Sequence, residues 1–301
     1  MASPFDLADD TAYRAWRDVK LAAYPRSIDE LIVPLADPCA LTAAETRALA
    51  IAVARANLVF YAAPHLPAAD KNLPKRLGQQ LGLTRLEGNY LADEDGLSSI
   101  TPNDDETNVR GDYIPYTHKP INWHTDGYYN ALDRRILGMS LHCAQNAESG
   151  GENALLDHEI AYIQLRDINP DFIAALMQPD AMTIPARMDE DNIARPEQSG
   201  PVFAVDPEQG FLHMRYTART RSIVWKADPT TQAAVKTLAE ILAHSEYTLT
   251  ARMTPGMGLL CNNVLHTRSA FSDSPGHRRL LYRGRYYDRL RFDLASPARP
   301  A

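Results

Sequence analysis

The sequence predicts a mainly β fold with flanking helices, of the double-stranded β-helix (jelly-roll, cupin-like) kind, in one domain over residues 1–301. Three observations predict it. From Ile121 onward, short strand-like runs dominate and are separated by Gly and Pro turns. Helical spacing is concentrated before residue 90, so helices flank the strands. The length of 301 residues with 45% hydrophobic content is enough to bury one large core.

The elements follow in order. Asp10 to Ala23 carries Tyr13, Trp16, Val19 and Leu21 at helical spacing. Thr42-Ala43-Ala44-Glu45 has capping-box form before an apolar run to Arg55. Asn57 to Ala62 reads as a buried strand, and Asp70 to Leu81 as a short helix with Pro74 in its first turn. Residues 1–90 thus form a helical N-terminal part. Leu91 to Pro120 has no sustained period, many acids and the breakers Gly96, Pro102, Gly111 and Pro115, so it reads as a loop and as a lid beside a site. Strands are expected at Arg135–Cys143, Met182–Pro185, Val202–Val205, Phe211–Tyr216, Tyr247–Arg252, Gly258–Asn262 and Arg279–Tyr287. Two helices interrupt them: Asp157–Ile168, resuming after Asn169-Pro170, and Asp228–Ser245 with Pro229 in its first turn.

Composition excludes several classes. The net charge is −7 and the 31 Lys and Arg form no run that would track a phosphate backbone, so nucleic acid is not an expected partner. No apolar segment approaches the ~20 residues that span a bilayer, and the acidic N-terminus lacks signal-peptide form. Cys39, Cys143 and Cys261 are widely spaced with no Cys-x-x-Cys pair, which fits a reducing cytoplasm and no disulfide framework. The expected partner is a small molecule, with no membrane; a homo-oligomer is left open.

Trp123-His124-Thr125-Asp126 is the most informative stretch. Residues i and i+2 of a strand share a face, so His124 and Asp126 are expected to converge. His266, in Asn263-Val264-Leu265-His266, would complete two imidazoles and one carboxylate, the donor set of non-heme Fe(II) oxygenases. His277 is the closest rival, but it sits in a polar turn. Thirteen residues beyond His266 (279 − 266) lies Arg279, where a guanidinium can clamp an organic acid in bidentate fashion. Arg278 and Arg279 should point to opposite strand faces, and Arg279 and Arg283 to the same one; Arg278, Arg285 and Arg289 read as surface charges.

With these residues the chain resembles the taurine dioxygenase-like (TauD/TfdA-type) Fe(II)/2-oxoglutarate-dependent oxygenases from about Asn122 to Arg283. The resemblance is strongest at His124-Thr125-Asp126-Gly127, at Ser149-Gly150-Gly151-Glu152-Asn153 and from His266 to Arg283. It implies the jelly roll, Fe(II) on His124, Asp126 and His266, 2-oxoglutarate as cosubstrate anchored by Arg279, and Arg283 as a second anionic contact. The family usually has Thr where Asn153 stands; Asn153 either hydrogen-bonds the cosubstrate or caps the turn before Ala154-Leu155-Leu156. The implied reaction is hydroxylation of a small polar substrate, an amino acid, sulfonate or carboxylate, with succinate and CO2 as co-products. The expected substrate contacts are Asn122, Tyr128, Arg110, Tyr113 and Arg215, with Tyr129, Arg219 and Arg221 nearby. The competing classes are a metal-dependent jelly-roll isomerase or hydrolase without 2-oxoglutarate, and a non-catalytic small-molecule binder.

Overall fold

Six strands from distant parts of the chain form one mixed sheet in the order Ile32–Pro34, Leu58–Ala62, Met257–Cys261, Gly138–Gln145, Leu280–Tyr286, Ser98–Ile100. The first two run parallel, with the helix Ala43–Ala56 between them in sequence; the other pairs are antiparallel. A second sheet has the order Leu249–Ala251, Asn153–Leu156, Leu265–Arg268, Ile121–His124. The computed structural model describes residues 3–88, 92–103, 113–189 and 192–294. The chain divides into two compact units, Met1–Tyr24 with Asn122–Arg135 and Leu156–Thr248, and Pro25–Ile121 with Ile136–Leu155 and Leu249–Ala301. No helix among the described residues is long and apolar enough to cross a membrane.

In the first unit, the helix Asp10–Ala23 starts where Asp9 accepts from Ala12 N at 2.9 Å, an ordinary N-cap. Its aromatic face meets the helix His158–Ile168: Phe5 packs edge-on against Trp16 and Tyr162, and Tyr13 donates to Asp167 at 2.7 Å. Lys20, 6% exposed, reaches Asp157 at 2.6 Å and Glu159 at 2.5 Å, so a buried cation meets two acids at that helix's N-terminus. The helices Pro170–Leu176 and Pro229–His244 begin at prolines, as expected, and Asp228 caps the latter.

In the second unit, the helix Ala43–Ala56 has its capping box made by Thr42 and Glu45, and it ends on Asn57 in the left-handed region. Gly258 faces Tyr61 and His142 across the sheet. A Cβ at Gly258 would lie 2.3 Å from the Tyr61 ring. Glycine there lets Tyr61 cross to His142 and donate to its Nδ1 at 2.9 Å, while His142 Nε2 donates to Ala68 O at 2.9 Å.

Three expectations need correction. Leu91–Pro120 is not an unbroken loop: Ser98–Ile100 pairs with Leu281–Arg283, and Ile114–Tyr116 forms a 3-10 turn. A three-residue strand has no visible period, and its partner edge comes from far along the chain. Residue 91 and residues 104–112 lie outside the described residues. Arg285 is not a surface charge; it is 4% exposed and paired with Glu87 at 2.5 Å. Arg289 is half-buried and donates to Asn57 Oδ1 at 2.6 Å. Arg278 is exposed, as expected.

Candidate active site

The strand Ile121–His124 ends at its histidine. Asp126 therefore sits in the turn beyond the strand, and strand alternation does not bring it to His124 as expected. The turn does so instead. Thr125 N donates to Tyr216 O at 3.0 Å and Tyr216 N donates to Thr125 Oγ1 at 3.1 Å, while Gly127 takes φ of 69°. Asp126 is 5% exposed, and its Oδ1 lies 3.7 Å from His124 Nε2.

Both histidines present the same nitrogen. His124 Nδ1 donates to Asn122 O at 2.9 Å, and His266 Nδ1 donates to Val264 O at 3.0 Å. A carbonyl only accepts, so each Nδ1 carries the hydrogen and each Nε2 offers its lone pair. These backbone carbonyls, two residues upstream in each case, are the orienting acceptors that a ligating imidazole needs. His124, Asp126 and His266 form a group in which one ligand atom from each lies within 4.8 Å of the others. Two neutral imidazoles and one carboxylate are a donor set that fits Fe(II) and leaves coordination positions open. His277 is not part of this group; it lies in a turn bridged to Ser274, with its Nε2 2.9 Å from the Gln145 amide.

Arg279 immediately precedes the strand Leu280–Tyr286 and is 4% exposed. With Leu281 it lines a pocket shared with Cys143, Gly150, Gly151 and Met253, and the sheet register shifts between Leu280 and Leu281. Gly151 has φ of 76°, and a Cβ there would sit 3.3 Å from Arg279 Nε; the glycine makes room for the guanidinium. The guanidinium carbon lies 5.0 Å from the Phe271 ring centroid. Burial pulls the Arg279 pKa down to about 10, with Cys143 and Asp273 opposing, so it stays a cation at neutral pH. It forms no ion pair within 4 Å with a carboxylate among the described residues. Burying a charge without a counter-ion is costly, so the pocket suits an incoming anion.

Other expected residues fare differently. Arg283 is half-buried and pairs with Leu141 and Ser98 in the sheet. Asn153 Nδ2 donates one of its two hydrogens to Thr267 O at 2.7 Å and ties two strands together. Arg215, expected at the substrate, is 3% exposed and spends its donors on Tyr128 O, Met182 O and Gln198 O at 2.7, 2.9 and 2.8 Å. It holds the turn after Asp126 rather than a ligand. Tyr128, Tyr129 and Tyr113 are half-buried and Asn122 is exposed. Arg110 lies outside the described residues.

Sequence reasoning missed Arg268 and Phe271. Arg268, two residues beyond His266, donates to the carbonyls of Ile114, Pro115, Thr117 and Lys119, and burial pulls its pKa down to about 9. It also lies 4.8 Å from the Phe271 ring centroid, so two buried arginines share one aromatic ring. The only signal was its place two residues beyond His266 on the same strand; its partners are about 150 residues away in sequence.

A family model described as taurine catabolism dioxygenase TauD, TfdA family, matches residues 22–285. A curated relative, uridine-5'-phosphate dioxygenase from Amycolatopsis sp, is 28% identical over 170 residues, which is 54% of this chain and 60% of that protein. A taurine dioxygenase structure from Burkholderia xenovorans superposes with a TM-score of 0.58 at 19% identity, covering 87% of this chain and 89% of that one. An asparagine oxygenase structure with Fe(II), 2S,3S-3-hydroxyasparagine and succinate gives 0.57 at 16% identity, covering 95% and 86%.

Proposed function

Because this chain belongs to the taurine catabolism dioxygenase (TauD, TfdA) family, and so is an Fe(II)/2-oxoglutarate-dependent dioxygenase, we propose that His124, Asp126 and His266 hold its iron and that Arg279 anchors the far carboxylate of 2-oxoglutarate. The first assignment is supported by the convergence of three ligand atoms with both Nε2 lone pairs presented. The second rests on the buried Arg279 guanidinium in a glycine-floored pocket. Family membership sets aside the isomerase, hydrolase and non-catalytic alternatives. The double-stranded β-helix is part of this reading, supported by the two larger sheets and by the fold shared with the oxygenase structures.

With 2-oxoglutarate and O2, Fe(II) supplies oxidative decarboxylation to succinate and CO2 coupled to attack on a substrate C–H bond. The chain's own residues hold and orient. The Asn122 and Val264 carbonyls keep each imidazole in one tautomer. Arg279 would hold the cosubstrate's distal carboxylate and so restrict its orientation. Arg215 holds the turn behind Tyr128. We take the outcome to be hydroxylation of a small polar molecule. Amino acids, sulfonates and carboxylates are joined as candidates by phosphorylated molecules, since the Amycolatopsis relative is named for uridine 5'-phosphate. A cytoplasmic setting belongs to the same reading, supported by three free cysteines.

The test is anaerobic addition of Fe(II) and 2-oxoglutarate to the purified protein. A weak visible charge-transfer band is expected in the wild type and is expected to be absent in Asp126→Ala and His266→Ala. A wild type without the band, or variants that keep it, would overturn the assignment. Succinate release across a substrate panel then reads turnover.

A further inference from the structure

Two arginines close on the turn that follows the metal motif. Arg219 Nη1 donates to the Tyr128 hydroxyl at 3.2 Å, and the Arg195 guanidinium carbon lies 5.5 Å from the Tyr129 ring centroid. The two tyrosine rings meet edge-on at 5.1 Å. Arg195 Nη2 donates to Pro185 O at 2.8 Å, whereas its Nε–H is buried and meets no acceptor among the described residues. Thr217, two residues before Arg219, bridges to His124, so the cluster adjoins a metal ligand. Burial holds Arg195 below the usual arginine range; Tyr128 and Tyr129 oppose the shift, and Arg187 and Arg219 add to it. Neither Arg195 nor Arg219 has a carboxylate within ion-pair distance among the described residues.

Guanidinium groups gathered without a counter-ion are stabilised by an anion bound between them. We propose that Arg195, Arg219 and Tyr128 form the substrate's anion subsite, and that the anion is a phosphate monoester of a small molecule. The proposal rests on the dioxygenase reading and adds the substrate class. A phosphate monoester carries about −1.5 to −2 at neutral pH, against one charge for a carboxylate or sulfonate, and offers three acceptor oxygens to forked donors. The Tyr128 hydroxyl accepts from Arg219 and so keeps its own hydrogen to donate to the anion. No described acid in the cluster would receive the ammonium of a zwitterion.

The test is anaerobic calorimetry with uridine 5'-monophosphate, ribose 5-phosphate, uridine and taurine, on protein with Fe(II) and 2-oxoglutarate and on metal-free protein. At least one phosphate ester is expected to bind about tenfold or more tighter than uridine and tighter than taurine. Arg195→Gln and Arg219→Gln are each expected to lose that advantage by about tenfold, with the Fe(II)–2-oxoglutarate band unchanged. Arg219 is exposed, so its substitution spares the core and keeps the test valid if Arg195→Gln folds poorly. Uridine binding as well as both esters, taurine binding best, or Arg219→Gln retaining the full preference would overturn the proposal. A missing band with the phosphate preference intact would sink the dioxygenase reading alone; a band without the preference would sink the subsite alone.

Discussion

At the residue scale, the sharpest case is one buried guanidinium. Arg279 has no counter-ion within ion-pair distance among the described residues, and burial already lowers its pKa to about 10. Leaving a buried carboxylate without its partner costs about 2–5 kcal/mol. Arg279→Ala should therefore weaken 2-oxoglutarate binding roughly thirty-fold to several thousand-fold, while Fe(II) still binds. Arg278→Ala, exposed and one residue away, should leave cosubstrate affinity unchanged. Anaerobic titration of the charge-transfer band reads both; equal affinities for the two variants would remove the anchor assignment. The same scale explains why His266 rather than His277 joins the ligand group. The Val264 carbonyl holds the His266 ring in the ligating tautomer, whereas His277 is engaged with Gln145 in a turn.

At the element scale, buried polar groups tie segments that propensity alone would leave loose. Lys20 on the first helix meets Asp157 and Glu159 at the start of another. Removing one member of a buried charge set typically costs about 3–5 kcal/mol, because the others lose compensation. Lys20→Met should destabilise by that amount in urea unfolding with an unchanged slope; a change under 1 kcal/mol, roughly the worth of a surface pair, would mean solvent reaches the cluster. Arg268 plays a similar part for residues 113–119, whose carbonyls it gathers. Arg268→Met should raise amide exchange in that segment while the main sheet keeps its protection. Protection as in the wild type would show that the 3-10 turn and the Phe271–His118 contact suffice without it.

At the scale of the whole molecule, acid should weaken the fold. Burial pushes the Asp157 carboxyl up, but Lys20 and His158 outweigh it, so it lies below its ordinary value; Glu45, Glu152 and Asp288 are lowered as well. A carboxyl lowered in the folded state gives stability that is complete above its unfolded pKa, ~4, and is lost as pH falls through the folded value. The urea midpoint should thus hold from neutral pH down to about 5 and then drop, and Asp157→Asn should flatten part of that drop. Ligand linkage works at the same scale. Fe(II) with 2-oxoglutarate should raise the melting temperature, since binding only the native state stabilises it by RT ln(1 + [L]/Kd). In Arg279→Ala the metal's share of the rise should survive and the cosubstrate's share should shrink in step with its weaker binding.

What the sequence determined by itself was local. Thr42 and Glu45 make the capping box that their spacing encodes, and prolines open the helices at Pro170 and Pro229. Arg278 is exposed and Arg279 buried, as expected, although both precede the strand Leu280–Tyr286. These signals act within a few residues, so chain order carries them. Tertiary structure decided which arginines are structural: Arg215, Arg268 and Arg285 look like Arg279 in sequence, yet each is matched by carbonyls or an acid brought from elsewhere in the chain. It also decided that a turn, not a strand face, carries Asp126, and that Ser98–Ile100 becomes an edge strand. A guanidinium's role depends on which partners its donors meet once buried, and those partners exist only after distant segments have packed.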